Sequence, residues 1–202
     1  MRSRRAEPKR CAWAASSDNA RMLQYHDAEW GVPVRDDRTL FEFLILEGAQ
    51  AGLSWQTVFN KRDNYRKAFS HFDPGKIARY GARDVQRLLG DPGIIRNRLK
   101  IESAIDNARA FLAVQDARSS FHEYIGEFVG GWPIQNKFRT HCDIPSVTNE
   151  SDAMSKDLRR RGFRFVGSTI CYAFMQAVGM TNDHTRGCFR RDPIRRLGVG
   201  AT

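Results

Sequence analysis

Four side chains with metal-binding chemistry stand as two pairs near opposite ends of the chain, Cys11 with His26 and His184 with Cys188. His184 and Cys188 are four positions apart. On one helical turn that spacing puts both side chains on the same face, as a two-toothed metal clip requires. Two thiolates and two imidazoles fill a tetrahedral zinc shell and leave no position for water, so such a site would be structural and would tie the termini together. The pairs are distant and contain no C-x-x-C, so the spacing also fits a surface His26 and a buried Cys188 thiol. A second feature is Glu47, in Leu44-Ile45-Leu46-Glu47-Gly48. Leu40, Leu44 and Glu47 recur at helical spacing, with Phe43 one turn earlier, so the carboxylate sits on the apolar stripe of its helix. Burial there is costly unless the group is paired or faces a pocket. A recognition carboxylate and a structural one held by backbone groups or an arginine both remain open.

Aromatic residues form a third set: Trp13, Tyr25, Trp30 and Trp55. Flat faces of this kind hold a planar base, a cationic one especially. Core packing is the plain alternative, but Tyr25, Trp30 and Trp55 are interleaved with Glu47 and with polar and glycine residues rather than with leucine and valine. The fourth feature runs from Leu89 to Arg98. A helix, a turn at Gly93 and a second helix can aim backbone N–H groups at a DNA phosphate, with Arg96, Arg98 and Lys100 adding charge. A capped helix turn has a similar sequence.

The elements that must position these groups are helical. Arg38 to Gln50 carries Leu40, Phe41, Phe43, Leu44 and Leu46 at helical period. Ser54 is an N-cap for a helix running toward Phe72, and Asp73-Pro74 opens a short helix to about Tyr80. Asp84 to Leu89 is another short helix, and Asp91-Pro92-Gly93 is turn chemistry. Arg98 to Val114 shows the apolar stripe Ile101, Ala104, Ile105, Ala108, Phe111 and Leu112. Helices are also expected over Phe121 to Val129, Ser151 to Arg161 and Ser168 to Val178, with Gly130 to Pro145 a loop and Gly162 closing its helix. Strand alternation is scarce. The expectation is an all-α fold of eight to ten short helices. Residues 1–10 read as a disordered basic tail, 11–190 as one domain of two helical lobes, and 191–202 as a loosely ordered tail.

At 202 residues the chain is long enough for one domain with a real core. A formal net charge of +10 favours a polyanionic partner. No apolar run of about 18 residues, lipidation motif or basic amphipathic helix supports a membrane, so nucleic acid is the better partner class. The basic N-terminus, Met1 to Arg10, has no apolar run behind it and does not read as a secretory signal. A reducing, cytoplasmic location follows, in which Cys11, Cys142, Cys171 and Cys188 form no disulfide framework. Cys171, in an apolar run, is a small core residue.

Seven segments in one order resemble the 3-methyladenine DNA glycosylase I family. They are Cys11-Ala12-Trp13, Tyr25 to Pro33, Leu46 to Trp55, Gly93 to Arg96, Arg161 to Gly167, Thr169 to Tyr172 and Asn182 to His184. The resemblance extends from about Cys11 to Cys188. It implies a helix-hairpin-helix glycosylase fold, all-α, with two lobes and a cleft. It implies that Cys11, His26, His184 and Cys188 bind structural Zn2+. Glu47 matches the base-recognising carboxylate. Tyr25 and Trp55 match the aromatics that stack on the flipped base, with Trp30 and Trp13 lining the pocket. Gly52 and Leu53 match the loop that enters the gap left in the duplex. The implied activity is monofunctional excision of 3-methyladenine from double-stranded DNA, by a monomer, leaving an abasic site.

The chain departs from the family pattern at three places. Leu99 stands where a glycine is common in the hairpin, and Met22 where some relatives carry an aromatic. Helix-hairpin-helix relatives usually carry a catalytic aspartate after the hairpin. This family lacks it, and Asp106, although nearby, is assigned no such role. Two rival functions are a damage binder without catalysis and a zinc-stabilised regulator that reads undamaged DNA. The first is separated by release of free base, and the second needs a base-reading recognition helix, for which no segment stands out.

Overall fold

Polar caps set where the helices of this chain begin. In the computed structural model, which describes residues 7–198, α1 (Ala12–Ala15) is followed by α2 (Ala20–Ala28), where the Asn19 side chain accepts from the Arg21 N–H. Asp36 caps α3 (Asp37–Gln50) through Thr39, and Ser54 caps α4 (Trp55–Phe59) through Thr57. Then come α5 (Arg62–Ala68), α6 (Pro74–Ile77), α7 (Ala82–Gly90) and α8 (Arg98–Ala117). Asp73 with Pro74 opens α6 as the sequence predicts, and Asn97 caps α8. The remaining helices are α9 (Phe121–Gly126), α10 (Asn149–Arg160), α11 (Ser168–Ala177) and α12 (Arg191–Gly198). A single parallel pairing joins β1 (Ile134–Gln135) to β2 (Thr181–Asn182), with Ile134 opposite Thr181. The described residues are thus mostly helical, 61% of them.

The structure differs from the sequence reading in several places, first in the number of α-helices, twelve among the described residues against the expected eight to ten. The helix expected from Ser54 toward Phe72 is broken at Asn60–Lys61 into α4 and α5, and a 3-10 turn at Ser70–Phe72 closes the run. α1 and α2 are additional to the expected helices; α1 is a single turn of four residues, too short to show a helical period. The expected loop of residues 130–145 contains β1 and a 3-10 turn at His141–Asp143. The segment expected to be loose from residue 191 begins with α12, anchored by one buried side chain, Ile194. Of the expected disordered tail, residues 1–6 lie outside the described residues, as do residues 199–202. Arg10 is placed, in an ion pair with Asp27 at 2.7 Å.

Two compact units divide the chain. The first gathers residues 1–33, 132–145 and 176–202. Its segments meet closely at Gly179, where φ is +74° and an added Cβ would stand 2.4 Å from the Pro33 nitrogen. Only glycine meets both demands. The second unit gathers residues 34–131 and 146–175. Its centre is α3, buried along every residue from Leu40 to Ala49, as expected of a helix wrapped by others. Phe41 meets Phe111 at 4.9 Å between ring centroids, and Phe111 stacks on Phe121 at 4.2 Å.

Candidate active site and metal centre

In the first unit the two sequence pairs converge. Cys11, His26, His184 and Cys188 are all buried, and their ligand atoms lie within 4.8 Å of one another. Cys188 Sγ is 3.4 Å from both His26 Nε2 and His184 Nδ1, and Cys11 Sγ is 3.6 Å from His184 Nδ1. A tetrahedral zinc ion sets sulfur and nitrogen ligands roughly 3.5 Å apart, so the donor set and its edges fit that metal. The outward nitrogens are fixed too. His26 Nδ1 meets Asp27 Oδ1 at 2.8 Å, and His184 Nε2 meets the Trp30 carbonyl oxygen at 3.0 Å. Such outer partners select the tautomer that turns a lone pair inward. The Cys188 thiol is held well below its ordinary pKa, first by the hydrogen bond from Cys11 and further by His184 and His26. The cluster therefore favours one thiolate, at Cys188, while the Cys11 thiol that donates to it is pushed up. His184 and Cys188 do not share a helix, contrary to the spacing argument. They flank a tight turn closed by the Cys188 N–H on the Thr185 carbonyl at 2.8 Å.

The aromatic set is partly one body with this cluster. Trp13 lies 5.2 Å from Trp30, 5.3 Å from His26 and 6.4 Å from Tyr25. Trp30 also packs edge-on against His184 at 4.6 Å. Ligands and aromatic wall thus brace each other, with Tyr25 and Trp30 buried. Met22, at the departure from the family pattern, is buried as well. Asp27 and Arg10 escaped the sequence reading. The adjacency of an acid to His26 was the signal for the first, while Arg10 lay in the segment read as a tail.

Glu47 and Trp55 belong to the second unit. Glu47 is only 3% exposed, and its Oε2 has no hydrogen-bond partner. No ion pair reaches it among the described residues. Burial alone pushes its carboxyl up to about 8. Five positions earlier on the same helix, Glu42 is the opposite case. It is buried too, but accepts from Arg62 Nε at 2.5 Å and pairs with Arg66 at 2.9 Å. Glu42 is the structural carboxylate; Glu47 is buried without compensation, the mark of a group kept for a ligand. Trp55, at the start of α4, lies 5.6 Å from Phe59. Between the two helices the chain turns through Gly52, with φ +77°, and leaves Leu53 41% exposed.

The hairpin region is more self-contained than its sequence implies. The Gly93 N–H is held by Asp91 Oδ1 at 2.7 Å, and the Ile95 N–H by the Tyr65 hydroxyl at 3.2 Å, so these donors are spoken for. Arg96 is exposed and, among the described residues, makes no ion pair, while Arg98 lies 3.4 Å from Glu102. Leu99 is 55% exposed. Lys100 turns inward: its ammonium donates to the carbonyls of Ala49 at 2.8 Å and Ala51 at 2.6 Å. Asp106 is engaged by Arg164 at 2.8 Å.

The model of the methyladenine glycosylase family matches residues 13–191. The chain belongs to this family. It is 50% identical to DNA-3-methyladenine glycosylase 1 of Escherichia coli over 89% of its length and 95% of that protein's. A solved structure of 3-methyladenine DNA glycosylase I superposes with a TM-score of 0.87 at 51% identity, over 90% of this chain and 98% of that one. The Staphylococcus aureus enzyme, solved to explain its recognition of 3-methyladenine, superposes at 0.86 with 34% identity, covering 88% and 95%. No described helix is long and apolar enough to cross a membrane.

Proposed function

We propose that this family member hydrolyses the N-glycosidic bond of 3-methyladenine in alkylated double-stranded DNA, as a monofunctional base-excision repair glycosylase that works as a monomer. The observation that carries the proposal is Glu47, a carboxylate buried in the second unit with an unpartnered oxygen. Methylation at N3 makes the adenine in DNA cationic, and a buried negative group is the complement of a flipped positive base. Glu47 accepts hydrogen bonds from the 6-amino edge and Trp55 offers its face to the ring, while Tyr25, Trp13 and Trp30 are base-binding aromatics on the family resemblance. Leu53, on the Gly52 turn, fills the gap the base leaves. Arg96 and Arg98 bind phosphate, and α7, the turn at Gly93 and α8 serve as the helix-hairpin-helix.

The base leaves with the electron pair of the broken bond. It departs neutral because it began cationic, so no acid need protonate it. Water adds to the sugar carbon as oxocarbenium character develops and gives up one proton to solvent. Normal adenine is neutral and gains less from Glu47 and from the aromatic faces, so discrimination is electrostatic. The sequence motifs position no lysine as a Schiff-base nucleophile, and the product is an abasic site. Cys11, His26, His184 and Cys188 hold zinc, whose contribution is to fix the fold, with all four positions taken by protein. Free thiols suit a reducing, cytoplasmic setting. The test is incubation with methylated duplex DNA and chromatography of the released bases. Release of 3-methyladenine with intact strands supports the proposal, and binding without release rejects it.

A further inference from the structure

We infer that Lys100 is a positioning residue rather than a phosphate contact: it anchors the end of α3 and so holds the turn that presents Leu53. The inference rests on the proposed role of that turn in the duplex. Lys100 sits in the first turn of α8, where its own N–H is capped by the Asn97 side chain. A cation is unfavourable at a helix N-terminus, whose dipole end is positive. Its ammonium is directed elsewhere, to the carbonyls of Ala49 and Ala51. These carbonyls belong to the last turn of α3 and its cap, where acceptors lack helical partners and the dipole end is negative. Lys100 therefore satisfies at α3 what it costs at α8.

The anchored atoms are adjacent to the turn. Ala51 leaves helical geometry at ψ 116°, Gly52 follows with φ +77°, and the Leu53 N–H closes the turn on the Gln50 carbonyl at 2.6 Å. Three residues separate the first bonded carbonyl from the exposed Leu53 side chain beyond Gly52. Neighbouring cations behave differently: Arg96 and Arg98 are exposed, whereas Lys100 is half-buried and its ammonium is desolvated. Without it, two uncompensated carbonyls at a helix C-terminus would face an incoming polyanion. With it, the turn is electrically quiet and preorganised for insertion.

The test uses the full chain carrying Lys100→Met. Methionine matches the length and suits a helix N-terminus better than a cation, so the fold survives. Three readings are taken: single-turnover excision from methylated duplex DNA, the salt dependence of duplex binding, and hydrogen exchange of the Leu53 amide. The expected result is excision slower by about tenfold, exchange faster by at least about tenfold, and an unchanged salt slope. In a Leu53→Ala background the same substitution should cost less than about twofold, since both act through one turn. A salt slope reduced by about one unit would make Lys100 a phosphate contact and overturn the inference. Normal excision overturns it too, whether or not exchange changes. Should the unaltered chain release no base, the proposed activity fails, and the exchange of Leu53 still decides whether Lys100 holds the turn.

Discussion

Two glutamates on one helix show what burial does to a carboxylate. Glu42 lies against Arg62 and Arg66, while Glu47 is as buried with no cation against it. Neutralising them should therefore have opposite consequences. Glu42→Gln strands the buried Arg62 charge and should destabilise the fold by about 3 kcal/mol in denaturant titration. Glu47→Gln relieves a penalty, and the sign follows from its carboxyl being raised to about 8. Below about pH 4 the folded and unfolded chains both keep the proton. From there to about pH 8 only the unfolded chain releases it, so stability declines as pH rises and levels off above. At pH 8.5 Glu47→Gln should be the more stable chain by on the order of 2 kcal/mol, after the cost of an unpartnered amide, and near pH 4 that advantage should vanish. Activity moves the other way. The substitution should lower kcat/KM on methylated duplex DNA by at least about a hundredfold with the fold intact. In the unaltered enzyme kcat/KM should climb with pH through about 8, as the free pocket gains its negative charge, and the variant should lose that limb. Unchanged affinity for the methylated base would remove Glu47 from its role.

At the scale of elements, the helices that pack were legible and the connections between them were not. α3 and α8 announce themselves through leucine, isoleucine and phenylalanine at helical period, and Asp73-Pro74 marks α6, because burial and capping are local chemistry. α12 was hidden because seven of its eight residues are not buried and Ile194 is its one buried side chain. The metal cluster was half legible: residue types were visible, but convergence across the whole chain is a tertiary fact that spacing does not contain. The His184–Cys188 pair meets the metal geometry through a turn rather than a helix, since a four-residue offset is satisfied by either. Likewise the inward turn of Lys100 could not be read from a run that also holds Arg96 and Arg98. The cap of α8 gives this scale its prediction. Asn97→Ala frees the Lys100 N–H, and should cost about 1 kcal/mol in thermal or denaturant unfolding while leaving metal content unchanged.

For the whole molecule the distribution of chain between the two units matters most. The second unit is built mainly from one long stretch, residues 34–131, around α3 and α8. The first is assembled from three segments, residues 1–33, 132–145 and 176–202, and its regular structure is modest: α1, α2, α12 and a two-residue strand pair. Bringing distant segments together costs chain entropy. Cys11 and His26 come from the first segment and His184 and Cys188 from the last, so a bound metal cross-links the two ends of the chain as a disulfide would. Removing the metal should therefore damage the units unequally. In calorimetry with a strong chelator, one transition should split in two, with the first unit melting lower by at least about 10 °C and the second little changed. Cys188→Ser should reproduce that low transition without chelator and carry less metal by elemental analysis. The turn at Gly52 and the burial of Glu47, both in the second unit, should survive, so the Glu47 pH response should persist below the low transition. A single unmoved transition on chelation would mean that packing of Trp13, Trp30 and Tyr25 holds the first unit unaided and that the cluster is not its clamp.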